Sequence, residues 1–487
     1  MIYDDYMDMT RCTSAASSIA GIVAILLLLS VPVGFSSAQD AAAEGPAGTA
    51  ATDTAADEAT DPEAVRSQLQ EWRETLLYGI NSEISSLLPT LAENREEDLT
   101  PEVLELFEQS TDPGVITEAA QFLNAVESRG GHERGEAIVL DSTGRGEDLL
   151  VAVMQYLRDT QAELSERGVS AVEGIATDRG AAAADAAVQL LGSSGVASER
   201  LIALYEDGGV SDDVRGRILV VLGERGDDEV YDFVSSILGE EEEARSTIQR
   251  FAIDTLGKLG DERALPTILR QMESSDALTR AYAISALTNF DTREANEALL
   301  DGLRDEFWRV RVAALEAIAD RQMRDAVPAV MYKVRRDPEQ RVRLEAIETL
   351  AALDTRDGWE LLRERLLSDR TGLTERSATA DVLIRRDLAA SRDTILEVVQ
   401  REWDRPDSRV LDIIGRVVSQ VEDQRVAPIA EQLLSHPNYI IQIYGLRAIG
   451  RSQLPGLVEI AEARQEEGNH PAVRRAALRS LEQLGPR

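Results

Sequence analysis

The chain has 487 residues, of which 43% are hydrophobic and 4% aromatic. This apolar content is sufficient for a core, so a wholly disordered chain is excluded. The 88 acidic residues outnumber the 51 basic residues, which gives a formal charge of -37 at pH 7. Sequence-independent binding to nucleic acid depends on Lys and Arg that displace phosphate counterions, so this charge argues against a nucleic-acid partner.

The N-terminus has the pattern of a secretory signal peptide. Residues 19–33 form an apolar run, IAGIVAILLLLSVPV, which is shorter than the ~20 residues of a membrane span. Small residues follow it and place Ala38 for cleavage before Gln39. We therefore predict that residues 1–38 are removed and that the protein is exported to the periplasm or outside the cell. In the alternative interpretation, the segment is retained and tethers the chain to a membrane.

Two further segments separate this signal from the body of the chain. Residues 39–60 contain Ala, Thr, Gly and acidic residues without an aromatic or basic side chain, which predicts a disordered acidic linker. Residues 61–97 are predicted to form a helical N-terminal cap that starts with Asp61 and Pro62. The only cysteine, Cys12, precedes the predicted cleavage point, so the exported chain would have no disulfide and no thiolate metal site.

A repeat of about 32 residues occupies residues 98–487. The segment LVVLGERGDDEVYDFVSSIL, from Leu219, matches IDTLGKLGDERALPTILRQM, from Ile253. Each unit is predicted to be a pair of helices, with an aliphatic residue near the end of the second helix, which we call the marker. The markers are Leu123, Leu157, Leu191, Leu222, Leu256, Leu287, Ile318, Leu350, Leu383, Val418, Ile449 and Leu481.

Two more positions recur relative to the marker. A small residue usually stands four residues before it, as Ala252 does, and Val or Ile usually stands eight residues before it, as Ile248 does. These positions share one helical face, which a single pair cannot bury by itself. The pattern therefore predicts stacking of about twelve pairs into an all-α, right-handed α-solenoid. Recurring glycines are predicted to end helices, at Gly192, Gly195, Gly223, Gly226, Gly257 and Gly260.

The repeat resembles the HEAT-repeat family, including the HEAT-like repeats of phycobilin lyases, in segments such as RVRVAALEAIADRQMRDAVPAV. The resemblance suggests an exported bacterial HEAT-repeat protein. It implies that an Asp in the turn between the helices and an Arg six residues later form a hydrogen-bonded ladder between repeats. Asp305 with Arg311, and Asp337 with Arg343, match that spacing. The ladder lapses at Gln249, Leu411 and Gln442.

The sequence contains no recognisable catalytic motif. It lacks the G-x-S-x-G, Walker and Rossmann glycine patterns, so we predict that the protein is not an enzyme. His132, His436 and His470 are predicted in loops or turns without a partner at metal-ligand spacing, so neither a metal nor a cofactor is expected. The acidic run at residues 240–243 lacks the spacing of a calcium loop and is predicted to be a solvated turn.

Four aromatic residues are the candidate binding residues. Phe307, Trp308, Trp403 and Tyr439 are predicted in the turns between the first and second helices of their units. Such turns align along one edge of a solenoid, so exposed rings there would anchor a protein partner. Alternatively, each ring packs over its own helix pair. The binding hypothesis predicts that Trp308→Ala and Trp403→Ala weaken partner capture and leave thermal unfolding nearly unchanged.

The basic residues are almost all arginine, because Lys258 and Lys333 are the only lysines. An acidic surface that is nearly free of lysine is typical of a protein in a salty environment, and arginine keeps its charge at alkaline pH. We therefore hypothesise a halophilic, external setting. A genomic preference for arginine codons is the competing explanation, but it does not account for the excess of acids.

Together these features predict an exported, non-catalytic interaction scaffold. It would bind protein or peptide partners, of unknown identity, along the solenoid surface and would act as a monomer. The resemblance to lyase repeats implies the first alternative, an enzyme or a lyase-like accessory protein. The second alternative is a membrane-tethered envelope spacer.

Overall fold

The structure is a computed structural model that describes residues 62–226, 228–238, 246–405, 408–466 and 468–484, with side chains from residue 66 onward. The predicted signal peptide, acidic linker and acidic run at 240–243 lie outside these residues. The chain divides into residues 1–65 and residues 66–487, and the description below concerns the second unit. None of the described helices combines the length and apolar character needed to cross a membrane.

The described residues form 26 α-helices, numbered α1–α26 in chain order. The first helices of the pairs are α1 (Pro62–Tyr78), α3 (Thr100–Gln109), α5 (His132–Leu140), α7 (Glu166–Asp178), α9 (Ser198–Glu206), α11 (Asp228–Ile237), α13 (Leu265–Gln271), α15 (Arg293–Gly302), α17 (Val327–Arg336), α19 (Arg356–Leu367), α21 (Leu388–Glu402), α23 (Ala427–Leu434) and α25 (Val458–Ala463). The second helices are α2 (Asn81–Asn94), α4 (Pro113–Ala125), α6 (Glu147–Asp159), α8 (Ala181–Ser193), α10 (Asp212–Gly223), α12 (Ser246–Leu259), α14 (Ala277–Leu287), α16 (Trp308–Asp320), α18 (Gln340–Leu353), α20 (Leu373–Arg386), α22 (Arg409–Val418), α24 (Tyr439–Arg451) and α26 (Pro471–Leu484).

The helices pack in two layers. From α3 onward, each second helix contacts the first helix of its own pair. Each second helix from α2 to α24 also contacts the second helix of the following pair. Because the contacts link each pair to its neighbour along the chain, the architecture is the predicted all-α solenoid.

The core follows the repeat that the sequence shows. All the markers lie on second helices, from α4 to α26, and all are buried except Leu481, which is half-buried. The positions four and eight residues before the marker are buried in every one of these pairs, as Ala252 and Ile248 are in α12. These positions lie on the face that packs against neighbouring helices, so the periodicity predicted the core correctly.

The marker position and the left-handed helix end recur in the segment predicted as an N-terminal cap, although its buried residues Ile84 and Leu88 stand seven and three residues before the marker. This segment contains α1 and α2. Leu91, on α2, is buried and stands at the marker position of its pair. Arg95 follows α2 in the left-handed conformation, with φ 50°, as Gln322 does after α16, with φ 52°. The end of α2 is therefore built like the ends of later second helices.

The recurring glycines have two different roles. Gly195, Gly226 and Gly260 follow second helices with positive φ values of 69°, 76° and 62°, as predicted for glycines that end helices. The prediction is wrong for Gly192 and Gly257, which lie inside α8 and α12, whereas Gly223 is the last residue of α10. A Cβ atom at Gly257 would stand 2.7 Å from the Cβ of Ala286 and 2.8 Å from its Cα. Gly257 therefore allows α14 to approach α12 closely.

Candidate interaction surfaces

A ladder of ion pairs connects the turns between first and second helices. Arg311, on α16, donates two hydrogen bonds to the carboxylate of Asp337, at 2.9 and 2.8 Å. It also donates to the carbonyl oxygens of Asp305 and Glu306, at 2.8 and 3.0 Å. Arg280 contacts the carboxylate of Asp305 in the same way, at 2.7 and 2.9 Å. Each arginine thus holds its own turn and reaches the carboxylate of the next.

The predicted Asp–Arg motif therefore contributes to two successive rungs. The carboxylate of Asp305 pairs with Arg280 of the preceding unit, whereas Arg311 contacts only the carbonyl group of Asp305. In the next unit, Arg343 donates to the carbonyl group of Asp337 at 2.7 Å. The spacing of six residues therefore identifies the Asp and the Arg of the ladder correctly. Each side chain, however, forms its ion pair with a residue of a neighbouring helix pair.

These contacts favour the charged form of the aspartates. Burial raises the pKa of Asp337, but hydrogen bonds from Arg311, from the backbone N–H of Glu339 and from Lys333 outweigh it. The net effect holds the pKa of Asp337 below its ordinary value. The pKa of Asp305 is lowered by the same balance, with burial opposed by hydrogen bonds from Arg280 and the backbone N–H of Phe307.

Glutamates continue the ladder in the following units. Arg343 donates to Glu375 at 2.8 Å, and Arg376 donates to Glu402 at 3.2 Å. Glu375 and Glu402 are both buried. The carboxylate of a longer side chain thus replaces that of the turn aspartate, so sequence spacing alone did not reveal these rungs.

The predicted lapses have different outcomes. Gln249 occupies a ladder position without an arginine, and the next residue supplies the cation. The Nε atom of Arg250 lies 3.5 Å from a carboxylate oxygen of Asp276. At Gln442 the side-chain amide donates at 2.7 Å to a carbonyl group six residues earlier, which retains only the contact within the turn. Leu411 is buried and offers no polar group. Among the described residues, the ladder thus runs from Arg250 to the unit before Leu411.

Phe307 and Trp308 lie at the N-terminus of α16, where both pack partly against the core. Their ring centroids are 6.1 Å apart. The guanidinium carbon of Arg341 lies 4.8 Å from the centroid of Trp308, and that of Arg309 lies 5.2 Å from it. The indole therefore contacts cations and leaves only part of its surface exposed.

Trp403 directly follows α21 and is also half-buried. Its ring meets the ring of His436 edge to face, with the centroids 4.8 Å apart. The Nδ1 atom of His436 accepts a hydrogen bond from the backbone N–H of Asn438 at 3.0 Å, so the ring hydrogen is on Nε2. Nε2 then donates to the carbonyl oxygen of Trp403 at 3.1 Å. His436 is thus a buried link between two turns.

Tyr439 is the most exposed of the four predicted binding residues. It is the first residue of α24, and 42% of its surface is accessible. Its ring stacks on that of His470, with the centroids 4.1 Å apart and an angle of 20° between the planes. Ile440, next to it, is also exposed. Phe307 and Trp308 share one cluster, whereas Trp403 and Tyr439 belong to others.

The remaining histidine, His132, is the first residue of α5 and does not lie in a loop or turn as predicted. The Nε2 atom of His132 lies 2.7 Å from the hydroxyl oxygen of Thr160, and its ring packs against that of Tyr156. Burial, and then the charge of Arg129, lower the pKa of His132. Among the described residues, no group of three or more His, Cys, Asp or Glu side chains is arranged to hold a metal ion.

The second helices carry an exposed row that the sequence analysis did not single out. The residue two positions before each marker is exposed or half-exposed in every pair from α4 to α26. We call these residues the minus-two row. In chain order they are Gln121, Gln155, Gln189, Val220, Asp254, Ser285, Glu316, Glu348, Asp381, Arg416, Arg447 and Arg479. A comparison of side-chain charge at a fixed offset from the marker, repeat by repeat, would have identified this row from the sequence.

Comparisons with solved structures return other helical-repeat proteins. The complex of CpcE and CpcF of phycocyanin lyase from Nostoc is 19% identical, covering 59% of this chain and 95% of that chain, with a TM-score of 0.29. The karyopherin Kap121p, bound to the extreme C-terminus of the protein phosphatase Cdc14p, is 11% identical, covering 88% of this chain and 55% of that chain, with a TM-score of 0.43. The Kap95p complex with RanGDP is 11% identical, covering 86% and 72%, with a TM-score of 0.46.

No curated protein matches the chain significantly. A family model described as spirochaete HEAT repeat protein matches residues 76–480. The match covers most of the chain and nearly all of the described helix pairs, so the resemblance to HEAT repeats is confirmed. The chain belongs to the spirochaete HEAT repeat protein family.

Proposed function

We propose that this HEAT-repeat solenoid is an exported, non-catalytic scaffold that binds protein or peptide partners. The partners would contact the exposed faces of the second helices and the turns that precede them. Stacked repeats create an extended surface in which each pair contributes a few side chains. Recognition would therefore be spread over several units rather than concentrated in one pocket.

One observation carries this proposal. The positions that form the core are apolar or small in nearly every pair, whereas the minus-two row on the same helices begins with Gln, becomes mostly acidic after Val220 and ends with Arg. The scaffold is thus repeated while its exposed chemistry varies along the chain. A recognition surface requires such variation, whereas stacking of the helices does not.

The aromatic residues at the turns would add anchors to this surface. Tyr439 presents an exposed ring, and Trp308 presents the exposed part of a ring that is held against Arg341. Tyrosine and tryptophan combine a large contact area with a polar group, which is why they dominate many interfaces. We include Phe307 and Trp403 as supporting residues, because both are half-buried.

Export and a salty environment are part of the same proposal. Export is supported by the apolar run at residues 19–33 and the small residues up to Ala38. Mass spectrometry of the protein recovered from the periplasm or medium tests it, because a chain that starts at Gln39 is expected. Recovery of a chain that still contains residues 1–38 would instead favour membrane tethering.

Partner capture tests the scaffold. The full chain is immobilised, exposed to envelope extract at native salt, and compared with a Trp308→Ala, Tyr439→Ala double variant. Tyr332→Ala is the matched control, because Tyr332 lies on a first helix and is 61% exposed. We expect a defined set of proteins that the control retains and the double variant loses. Equal capture by all three chains would refute the role of the turns, and no capture by any of them would refute the scaffold.

A further inference from the structure

We propose that Arg416, Arg447 and Arg479 form a binding site for an extended acidic segment of a partner protein. This inference rests on the proposed scaffold function and specifies the chemistry of one partner. The three arginines are the last members of the minus-two row, on α22, α24 and α26. All three are exposed.

The arrangement of the helices brings the three positions together. Helix α22 packs on α24, and α24 packs on α26. Because the arginines occupy the same offset from the marker, they lie on the same face of three consecutive second helices. In a chain with a formal charge of -37, three consecutive arginines at this offset create a local cationic stripe.

The protein neutralises this stripe only in part. Arg416 contacts Asp412 at 2.7 Å, and Asp412 also accepts a hydrogen bond from the hydroxyl group of Tyr444, at 2.9 Å. Within the described part of the chain, Arg447 and Arg479 have no carboxylate partner. Their guanidinium groups are available to carboxylates from another molecule, with which they can form paired hydrogen bonds.

The spacing of the stripe defines the ligand. Neighbouring packed helices are about 8–10 Å apart, and an extended peptide advances ~3.3 Å per residue. Acidic side chains at every third residue of an extended segment would therefore meet successive arginines. Ile440 lies two helical turns before Arg447 on the same face and is exposed, so it offers an apolar contact beside the stripe.

A short acidic peptide fits this surface better than a long polyanion. The minus-two row changes sign immediately before Arg416, where Asp381 and Glu348 precede it. The row therefore offers a nucleic acid no further arginine before Arg416, whereas a long polyanion needs cations along its whole length. Three arginines therefore match an acidic segment of about seven residues and no more.

A peptide-binding experiment tests the inference directly. The probe is a fluorescent peptide with aspartate at every third position, and the comparison peptide has the same composition with its aspartates adjacent. Binding to the full chain is measured by fluorescence anisotropy at low and high salt. The test variant is Arg416→Gln, Arg447→Gln, Arg479→Gln. The matched control is Arg293→Gln, Arg304→Gln, Arg356→Gln, which removes the same charge from exposed positions on or beside first helices.

We expect the spaced peptide to bind more tightly than the adjacent one, with binding that weakens as salt rises. The test variant should lose about tenfold in affinity, and the control should change less than about twofold. Circular dichroism should show the same helical signal and melting temperature for all three chains, because every substituted side chain is exposed.

Three outcomes of the peptide experiment would overturn the inference. These are equal binding by the test variant and the wild type, an equal loss in the control, and tighter binding of a single-stranded oligonucleotide than of the spaced peptide. The scaffold proposal is tested separately by capture from extract. If the arginine variant still captures the same proteins but no longer binds the peptide, the stripe is not the site those proteins use. The scaffold proposal would then stand and this inference would fail.

Discussion

The guanidinium group of Arg311 and the carboxylate of Asp337 form a two-point ion pair between consecutive repeats, with both side chains buried. The pair fixes the position of one turn relative to the next, because Arg311 also holds the carbonyl groups of its own turn. A buried ion pair adds little net stability compared with apolar residues, but removing one partner leaves an uncompensated charge. The ladder therefore makes the stacking sensitive to single substitutions.

Asp337→Asn is expected to destabilise the fold strongly. The substitution leaves Arg311 and Lys333 without their buried carboxylate, which should lower the free energy of unfolding by about 3 kcal/mol. Urea unfolding followed by circular dichroism measures the change. Asp291→Asn is the matched control, because Asp291 pairs with Arg321 but is fully exposed, so no measurable change is expected. Equal effects of the two substitutions would contradict a special role for the buried rung.

The same aspartates should make the fold sensitive to acid. The folded pKa values of Asp305 and Asp337 lie below the value of about 4 that aspartate has in an unfolded chain. Their contribution to stability is therefore fully present above about pH 4 and is lost as the pH falls from there toward the folded pKa.

Urea midpoints measured at pH 3, 5 and 7 check this expectation. Asp305 and Asp337 should contribute equally to the urea midpoint at pH 5 and at pH 7. At pH 3 their contribution is reduced, so the midpoint should be lower. Asp337→Asn should reduce the fall between pH 5 and 3, because residue 337 no longer titrates. A variant that retains the full pH dependence of the wild type would show that other groups cause it.

Gly257→Ala is expected to be destabilising, although alanine is the better helix former. The new Cβ would stand 2.7 Å from the Cβ of Ala286, and the neighbouring helix would have to move. Such overpacking costs about 1–3 kcal/mol. Gly174→Ala is the control, because Gly174 lies inside α7 and nothing stands within 4 Å of the position that its new methyl group would take. That substitution should stabilise by about 1 kcal/mol. Changes of the same sign at both sites, measured by urea unfolding, would be inconsistent with close packing at Gly257.

Trp403→Ala and Tyr439→Ala should differ in their effect on stability. Trp403 is half-buried and packs against His436, so removing its indole should cost about 2 kcal/mol. The sequence-based expectation of nearly unchanged thermal unfolding for Trp403→Ala is therefore revised. Tyr439 is more exposed, and its removal should change thermal unfolding only slightly. Differential scanning calorimetry distinguishes the two, and equal losses would mean that Tyr439 is also structural.

Added salt should raise the stability of the chain. The acidic side chains, which are in large excess, repel one another in the folded chain, and salt screens that repulsion. Thermal unfolding in potassium chloride from about 0.05 to about 2 M, at constant pH, checks this expectation. A melting temperature that stays flat or falls with salt would favour codon usage as the cause of the arginine content.

The sequence predicted the repeated parts of the fold because their cause is local. Leu256, Ala252 and Ile248 share one face of α12, and the same offsets are buried in every pair from α4 to α26, so the periodicity is sufficient to identify the core there. Contacts between pairs were less predictable. The partner of Arg343 is Glu375, which is on a helix rather than in the turn, and no local spacing indicates how far a longer side chain reaches.

The candidate binding residues show the same contrast between local features, which were predicted, and contacts between pairs, which were not. The position of Trp403 in a turn was predicted from the sequence, but its burial depends on His436, which belongs to the next pair. Tyr439 begins the second helix of that next pair and remains exposed. Residue type and position in the repeat were known for both aromatic residues. They did not predict how exposed each ring is, because exposure depends on contacts with the neighbouring unit.

The absence of an arginine at Leu411 and Gln442 has a mechanical consequence. Every unit from the one that carries Arg250 to the one that carries Arg376 is connected to its successor by a ladder arginine, whereas the last two junctions lack one, and the first of them has instead the exposed ion pair of Arg451 with Glu422. If the chain is pulled from its ends in an optical trap, these junctions should rupture before those that the ladder connects, and at a lower force. The C-terminal helix pairs would then unfold in a small separate step, while the pairs that the ladder connects remain folded.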